Sequence, residues 1–63
     1  MNNVVRILMN RDGMSESEAN ELLSNVRQEI DVALQDNDYS LVEVIIYSDL
    51  GLELDYLIDI ICY

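Results

Sequence analysis

The sequence predicts an all-α protein, a small bundle of three to four short helices built on one long central helix. Three observations carry this. Apolar residues recur at helical spacing over about twenty positions. Two Ser-x-x-Glu pairs, Ser15 with Glu18 and Ser40 with Glu43, stand just ahead of apolar runs as capping boxes. The two glycines, Gly13 and Gly51, fall where helices should stop, and no hairpin dipeptide separates the apolar runs. A β-α-β-β arrangement is the alternative. Val4 to Met9, Leu41 to Tyr47 and Tyr56 to Tyr63 are rich in β-branched and aromatic residues, and periodicity alone cannot type short apolar runs.

The first helix is expected from Asn3 to Asn10, with Val4, Val5, Ile7 and Leu8 as its apolar face. Arg11 meets the negative end of its dipole, and Asp12-Gly13 ends it. The second helix, from Glu16 to Asp36, is the central one. Ser15 caps it, and Met14 and Ala19 occupy the two positions of a hydrophobic staple. Ala19, Leu22, Leu23, Val26, Ile30, Ala33 and Leu34 fall in one stripe about 120° wide at ~100° per residue.

The third helix is expected from Leu41 to Leu50, capped by Ser40 and stapled by Tyr39 and Val44. Its apolar residues surround nearly the whole wheel, which predicts burial on all sides. The fourth runs from Leu54 to Ile61, with Leu54, Leu57, Ile58 and Ile61 on one face.

The 63 residues form a single domain, 1–63, with no proline, no linker and no low-complexity segment. A chain this short buries only ~60% of the surface that its unfolded state exposes. Small scaffolds usually add a staple. One cysteine, Cys62, excludes an internal disulfide, and one thiol without histidine makes a zinc site a poor fit. A second subunit is the remaining staple, so a homodimer or higher assembly is expected. Leu41, Val44, Ile45, Tyr47, Leu57 and Ile61 are the candidate oligomer interface. A monomer with an unusually apolar core is the other possibility.

Charge narrows the function. Thirteen acidic side chains face three arginines, with no lysine or histidine, for a formal charge of −10; yet 51% of the residues are hydrophobic. That balance opposes direct binding to nucleic acid or to anionic membranes and favours a basic protein partner. No signal peptide and no membrane span are expected, because Arg6 interrupts the apolar start and no apolar run approaches ~20 residues.

Several chemistries are disfavoured. Carboxylates are plentiful, but without His, Lys or a phosphate loop nothing singles out an acid–base pair, so no enzyme and no cofactor are expected. Asp36-Asn37-Asp38 fails as a calcium loop, since Leu41 and Tyr47 stand where glycine and glutamate belong. Cys62 has only Asp59 as a charged neighbour and reads as apolar filler.

On the second helix Glu18, Glu21, Glu29 and Asp36 project from one side, with Asn25 and Val32 between them. They are the candidate partner-binding residues, a negative ridge for a basic surface. A solvated face that keeps a half-apolar protein in solution explains the same residues. Val32, Tyr47, Tyr56 and Tyr63 add amphipathic or apolar contact surface, suited equally to an interface or to a core.

The stretch Asn10-Arg11-Asp12-Gly13-Met14-Ser15-Glu16-Ser17-Glu18-Ala19 resembles small acidic phage and prophage proteins that read "RDGMSxxEA" and later "GDY" and "LGLEPDYL". Asn37-Asp38-Tyr39 corresponds to the turn, and Leu50 to Leu57 to the end motif, with Leu54 in place of proline. Proline there would open a helix, so the resemblance implies a helical fourth segment. It also implies a phage-like setting in the bacterial cytoplasm. It carries over no catalytic residue. The resulting expectation is a non-enzymatic inhibitor of a host protein, either a defence factor or a nucleic-acid-dependent one. The rivals are a homo-oligomeric structural or regulatory protein and an antitoxin-like partner.

Overall fold

The computed structural model describes residues 2–62 and places four α-helices among them, with no strand. The β-α-β-β alternative is therefore excluded for those residues. Tyr63, counted above among the contact tyrosines, lies outside them.

Helix α1 spans Asn3–Asp12, and α2 spans Glu16–Gln35. At 1.5 Å per residue α2 is ~30 Å long, and the molecule measures 32 × 16 × 15 Å. The central helix thus runs the length of the protein, and α1, α3 (Tyr39–Ile45) and α4 (Leu57–Ile61) pack against it. The expected stripe faces inward: Ala19, Leu23, Val26, Ile30 and Ala33 are buried, and Leu22 and Leu34 pack at its margins. Val4, Val5, Leu8, Val42, Ile46, Leu50, Leu52 and Ile60 complete a core with no buried polar side chain among the described residues.

Local signals explain the helix ends. The capping box forms as expected: Ser15 Oγ accepts from Glu18 N–H, and Glu18 Oε1 accepts from Ser15 N–H, both at 3.1 Å. Helix α1 is capped by Asn2, whose Oδ1 accepts from Val4 N–H at 2.7 Å. The two glycine stops are built alike. Both adopt the left-handed conformation; Gly13 N–H and Met14 N–H return to the Leu8 carbonyl, and Gly51 N–H and Leu52 N–H return to that of Ile46. Helix α2 ends on left-handed Asn37, with Asn37 N–H bonded to Leu34 O and Asp38 N–H to Ala33 O.

That turn corrects the third segment. Asp38, not Ser40, is the N-cap, and its Oδ1 accepts from Leu41 N–H at 3.2 Å. The helix starts two residues earlier than the Ser40–Glu43 pair suggests, because left-handed Asn37 delivers Asp38 directly to the cap position. From Ile46 to Leu50 the helix widens into a π-helical turn. Residues four apart drift ~40° per step in an α-helix. A wider turn rotates less per residue and reverses that drift, which keeps Val42, Ile46 and Leu50 all buried. The other sides are not covered: Leu41, Val44 and Tyr47 are exposed.

The fourth segment also differs. A 3₁₀ turn, Leu54–Tyr56, leads into α4 and shifts its phase. Ile60 becomes the buried residue, while Leu54 and Ile58 are exposed and Leu57 and Ile61 are half-buried against the core. The expected single face of Leu54, Leu57, Ile58 and Ile61 therefore splits.

Two polar contacts hold α1 against the carboxyl-terminal half. Asn2 Nδ2 donates to the Asp59 carbonyl, and Arg11 Nη2 donates to the Leu50 carbonyl at 2.6 Å.

Candidate protein-binding surface

Helices α2 and α3, joined by the tight Asp36–Asp38 turn, leave a groove between them on the outer side. Val32 of α2 and Leu41, Val44 and Ile45 of α3 supply its apolar wall. Glu29, Ser48 and Asp49 supply its polar lining, and the open groove has a volume of about 480 Å³. On the other side of α3 lies a second groove of about 490 Å³. It is formed by Val44, Tyr47, Leu52 and Leu54, with Glu43, Glu53 and Asp55 beside them. Val44 and Ser48 line both, so α3 stands as a ridge between two troughs.

Exposure of apolar residues is concentrated here. Val32 is 59% exposed, Val44 54% and Tyr47 72%, with Leu41 and Leu54 also exposed. Exposed apolar patches rimmed by polar residues mark interaction surfaces. Among the described residues every charged side chain lining the grooves is acidic, and none of the three arginines lines either one. Arg11 is committed elsewhere: its Nε and Nη2 donate to the two Asp12 carboxylate oxygens at 2.9 and 2.8 Å. The Arg11 hydrogen bond holds the Asp12 carboxyl below its ordinary range.

The candidate ridge is only partly assembled. Glu18, Glu21, Glu29 and Asp36 are all exposed, but they serve different neighbourhoods. Glu18 is bound into the capping box. With Glu21 it borders a separate shallow depression beside Met14, Leu22 and Asn25. Asp36 sits at the C-cap of α2, ~27 Å along the axis from Glu18 at 1.5 Å per residue. Only Glu29 meets the apolar face. The oligomer candidates divide likewise: Leu41, Val44 and Tyr47 are exposed on the ridge, Ile45 forms groove wall, and Leu57 and Ile61 pack on the core away from both grooves.

Glu29 lies against Asp49, a neighbour twenty positions on that no local spacing could reveal. A protonated Glu29 can hydrogen-bond to Asp49; that bond, partial desolvation and the like charge all raise the Glu29 pKa above its ordinary 4.5. The folded state therefore holds this proton more tightly than the unfolded chain does. Stability falls as pH rises from the ordinary glutamate value through the raised one, and stays lower above it. Glu29→Gln removes this penalty. Thermal melts should show the variant more stable than the parent at pH 7, with the difference vanishing below about pH 4. Equal melting temperatures at pH 7 would show that the two carboxylates do not interact.

Among the described residues, no group of three or more His, Cys, Asp or Glu side chains is placed to hold a metal ion. No helix there is long and apolar enough to cross a membrane. The chain matches no protein-family profile, no curated protein and no solved structure.

Proposed function

We propose that this protein is a non-enzymatic, acidic protein-binding module that occupies a basic surface on another protein. The observation that carries this reading is the exposed apolar face of Val32, Leu41, Val44, Tyr47 and Leu54, set among acidic side chains with no arginine lining it. Apolar contacts would slow dissociation, and the charge of −10 would steer the encounter. The same charge opposes phosphate backbones and anionic lipid. The resemblance of the "RDGM" and "LGLE" segments to phage proteins supports a setting in the bacterial cytoplasm. There the module would inhibit a basic host protein, a nucleic-acid-dependent or defence factor, by covering it.

A second copy of the chain is the rival occupant, favoured by the exposure of Leu41, Val44 and Tyr47. Sedimentation at micromolar concentration separates the two, a stable dimer favouring the rival. An antitoxin-like chain that folds only on its partner is distinguished by the absence of a cooperative melt in isolation.

The module itself is tested by capture from bacterial lysate over a salt series. Reversing charge on the ridge in a Glu21→Lys, Glu29→Lys and Asp36→Lys variant, which leaves the Glu18 capping box intact, should weaken capture about tenfold or more and flatten its salt dependence. Unchanged capture and salt dependence would refute an electrostatic role for the ridge.

A further inference from the structure

We propose that the groove between α2 and α3 receives an amphipathic helix of the partner, with an arginine side chain of that helix placed between Glu29 and Asp49. This rests on the reading of the chain as an acidic protein-binding module and names the shape and chemistry that the module takes.

The mode of binding follows from what the groove offers. Its walls are side chains of two helices, and the described residues contain no strand and hence no sheet edge. An extended peptide would find no ladder of backbone donors and acceptors, whereas a helix can lay an apolar stripe against Val32, Leu41 and Val44. Helices α2 and α3 already pack together. A third helix on their outer groove repeats the ridge-into-groove contact that builds the rest of the bundle.

Charge complementarity selects the occupant. Glu29 and Asp49 present two carboxylates at one place on the groove, and their juxtaposition is unfavourable without a cation. The chain's own arginines do not line the groove. A guanidinium offers a planar fork that can serve two carboxylates at once, beyond the reach of a single-point donor. A second copy brings the wrong charge, since its own face carries the same acidic side chains and its total charge is also −10.

The test uses the full chain, isotopically labelled, and synthetic helical peptides of about 18 residues. One peptide carries leucines at i, i+4 and i+7 and an arginine on the flank of that stripe. A second has that arginine replaced by glutamine, and a third has the leucines dispersed around the helix. Nuclear magnetic resonance titration should give a Kd below about 1 mM for the first peptide. Its shifts should centre on Glu29, Val32, Val44, Ser48 and Asp49. The glutamine peptide should bind about tenfold more weakly, and the dispersed peptide should not saturate. Glu29→Gln with Asp49→Asn should erase the arginine preference, and Val44→Ser should weaken all binding. These three positions are exposed, so a melt of each variant verifies the fold.

Equal binding of the arginine and glutamine peptides would overturn the proposal. So would shifts centred on Met14, Glu18 and Glu21, no binding of the first peptide, or concentration-dependent shifts at Val44 without peptide. Lysate capture keeps the two levels apart. A ridge-dependent basic partner captured by a protein whose groove ignores the peptides leaves the module standing and removes the groove. Loss of salt-dependent capture by the unmodified chain removes the module.

Discussion

Replacing Ile30 by alanine is expected to lower stability by about 2–5 kcal/mol and to leave the protein substantially unfolded near physiological temperature. Ile30 is fully buried in the second half of α2, where truncation costs the lost transfer energy plus the cavity left behind. A 63-residue domain has in total only roughly 3–9 kcal/mol, at 0.05–0.15 kcal/mol per residue. Each kcal/mol moves the melting temperature of a domain this size by about 4–8 °C, so a drop of roughly 8–40 °C is expected. Val32→Ala is the matched control. Val32 is two residues away on the same helix but 59% exposed. Its truncation should change stability by no more than about 0.5 kcal/mol, and alanine's better helix propensity favours a small gain. Thermal melts of both variants at two protein concentrations test the register of α2. Equal losses would mean that Val32 is buried after all, and a concentration-dependent loss at Val32 alone would identify a second copy as what buries it.

The same pair of residues shows where local sequence suffices. Ile30 belongs to a stripe, Ala19 to Leu34, that repeats over about four helical turns, and Val32 interrupts the opposite side, so both placements follow from periodicity. The Ser15–Glu18 box and left-handed Gly13 are also local events, each complete within a few residues. Legibility failed where two good local solutions competed. Asp38 and Ser40 are both competent N-caps, and the choice was made by the turn at Asn37, whose hydrogen bonds reach back to Ala33 and Leu34. In the fourth segment a 3₁₀ turn changed the rotation per residue, so the α-helical wheel pointed at Ile58 when the core took Ile60.

The candidate surface was half legible. The acidic excess and the apolar circumference of the third segment were both visible, but the assumption that an all-apolar wheel must be buried all round concealed the result. A helix packed on a single long neighbour has one covered side. Val42, Ile46 and Leu50 fill it, and Leu41, Val44 and Tyr47 are left as a ridge. The pairing of Glu29 with Asp49 is a product of tertiary packing between α2 and the π-helical turn. It turns a diffuse charge into a local one, where the expected ridge meets the groove between α2 and α3.

Gly51→Ala should cost more than Gly13→Ala, although the two glycines have nearly identical backbones. Their φ angles are +66° and +67°, and the left-handed conformation costs an L-residue about 1–2 kcal/mol at either site. Both stops use the same paired return of N–H groups to one carbonyl. What differs is the space for a Cβ. At Gly13 nothing lies within 4 Å, whereas at Gly51 the Arg11 Nη1 would stand 3.3 Å away. That guanidinium is not free to swing aside, because its Nη2 donates to the Leu50 carbonyl and to Asp12. Gly13→Ala is therefore expected to show the backbone cost alone, a fall of about 4–16 °C in melting temperature. Gly51→Ala should fall further, by whatever is lost when Arg11 shifts from the end of the π-helical turn. Arg11→Ala supplies the decisive comparison. In that background the excess cost at Gly51 should disappear and the two glycine substitutions should become equal. If the excess persists without Arg11, the guanidinium is not what presses on Gly51, and α1 is not tied to the carboxyl-terminal half through this contact.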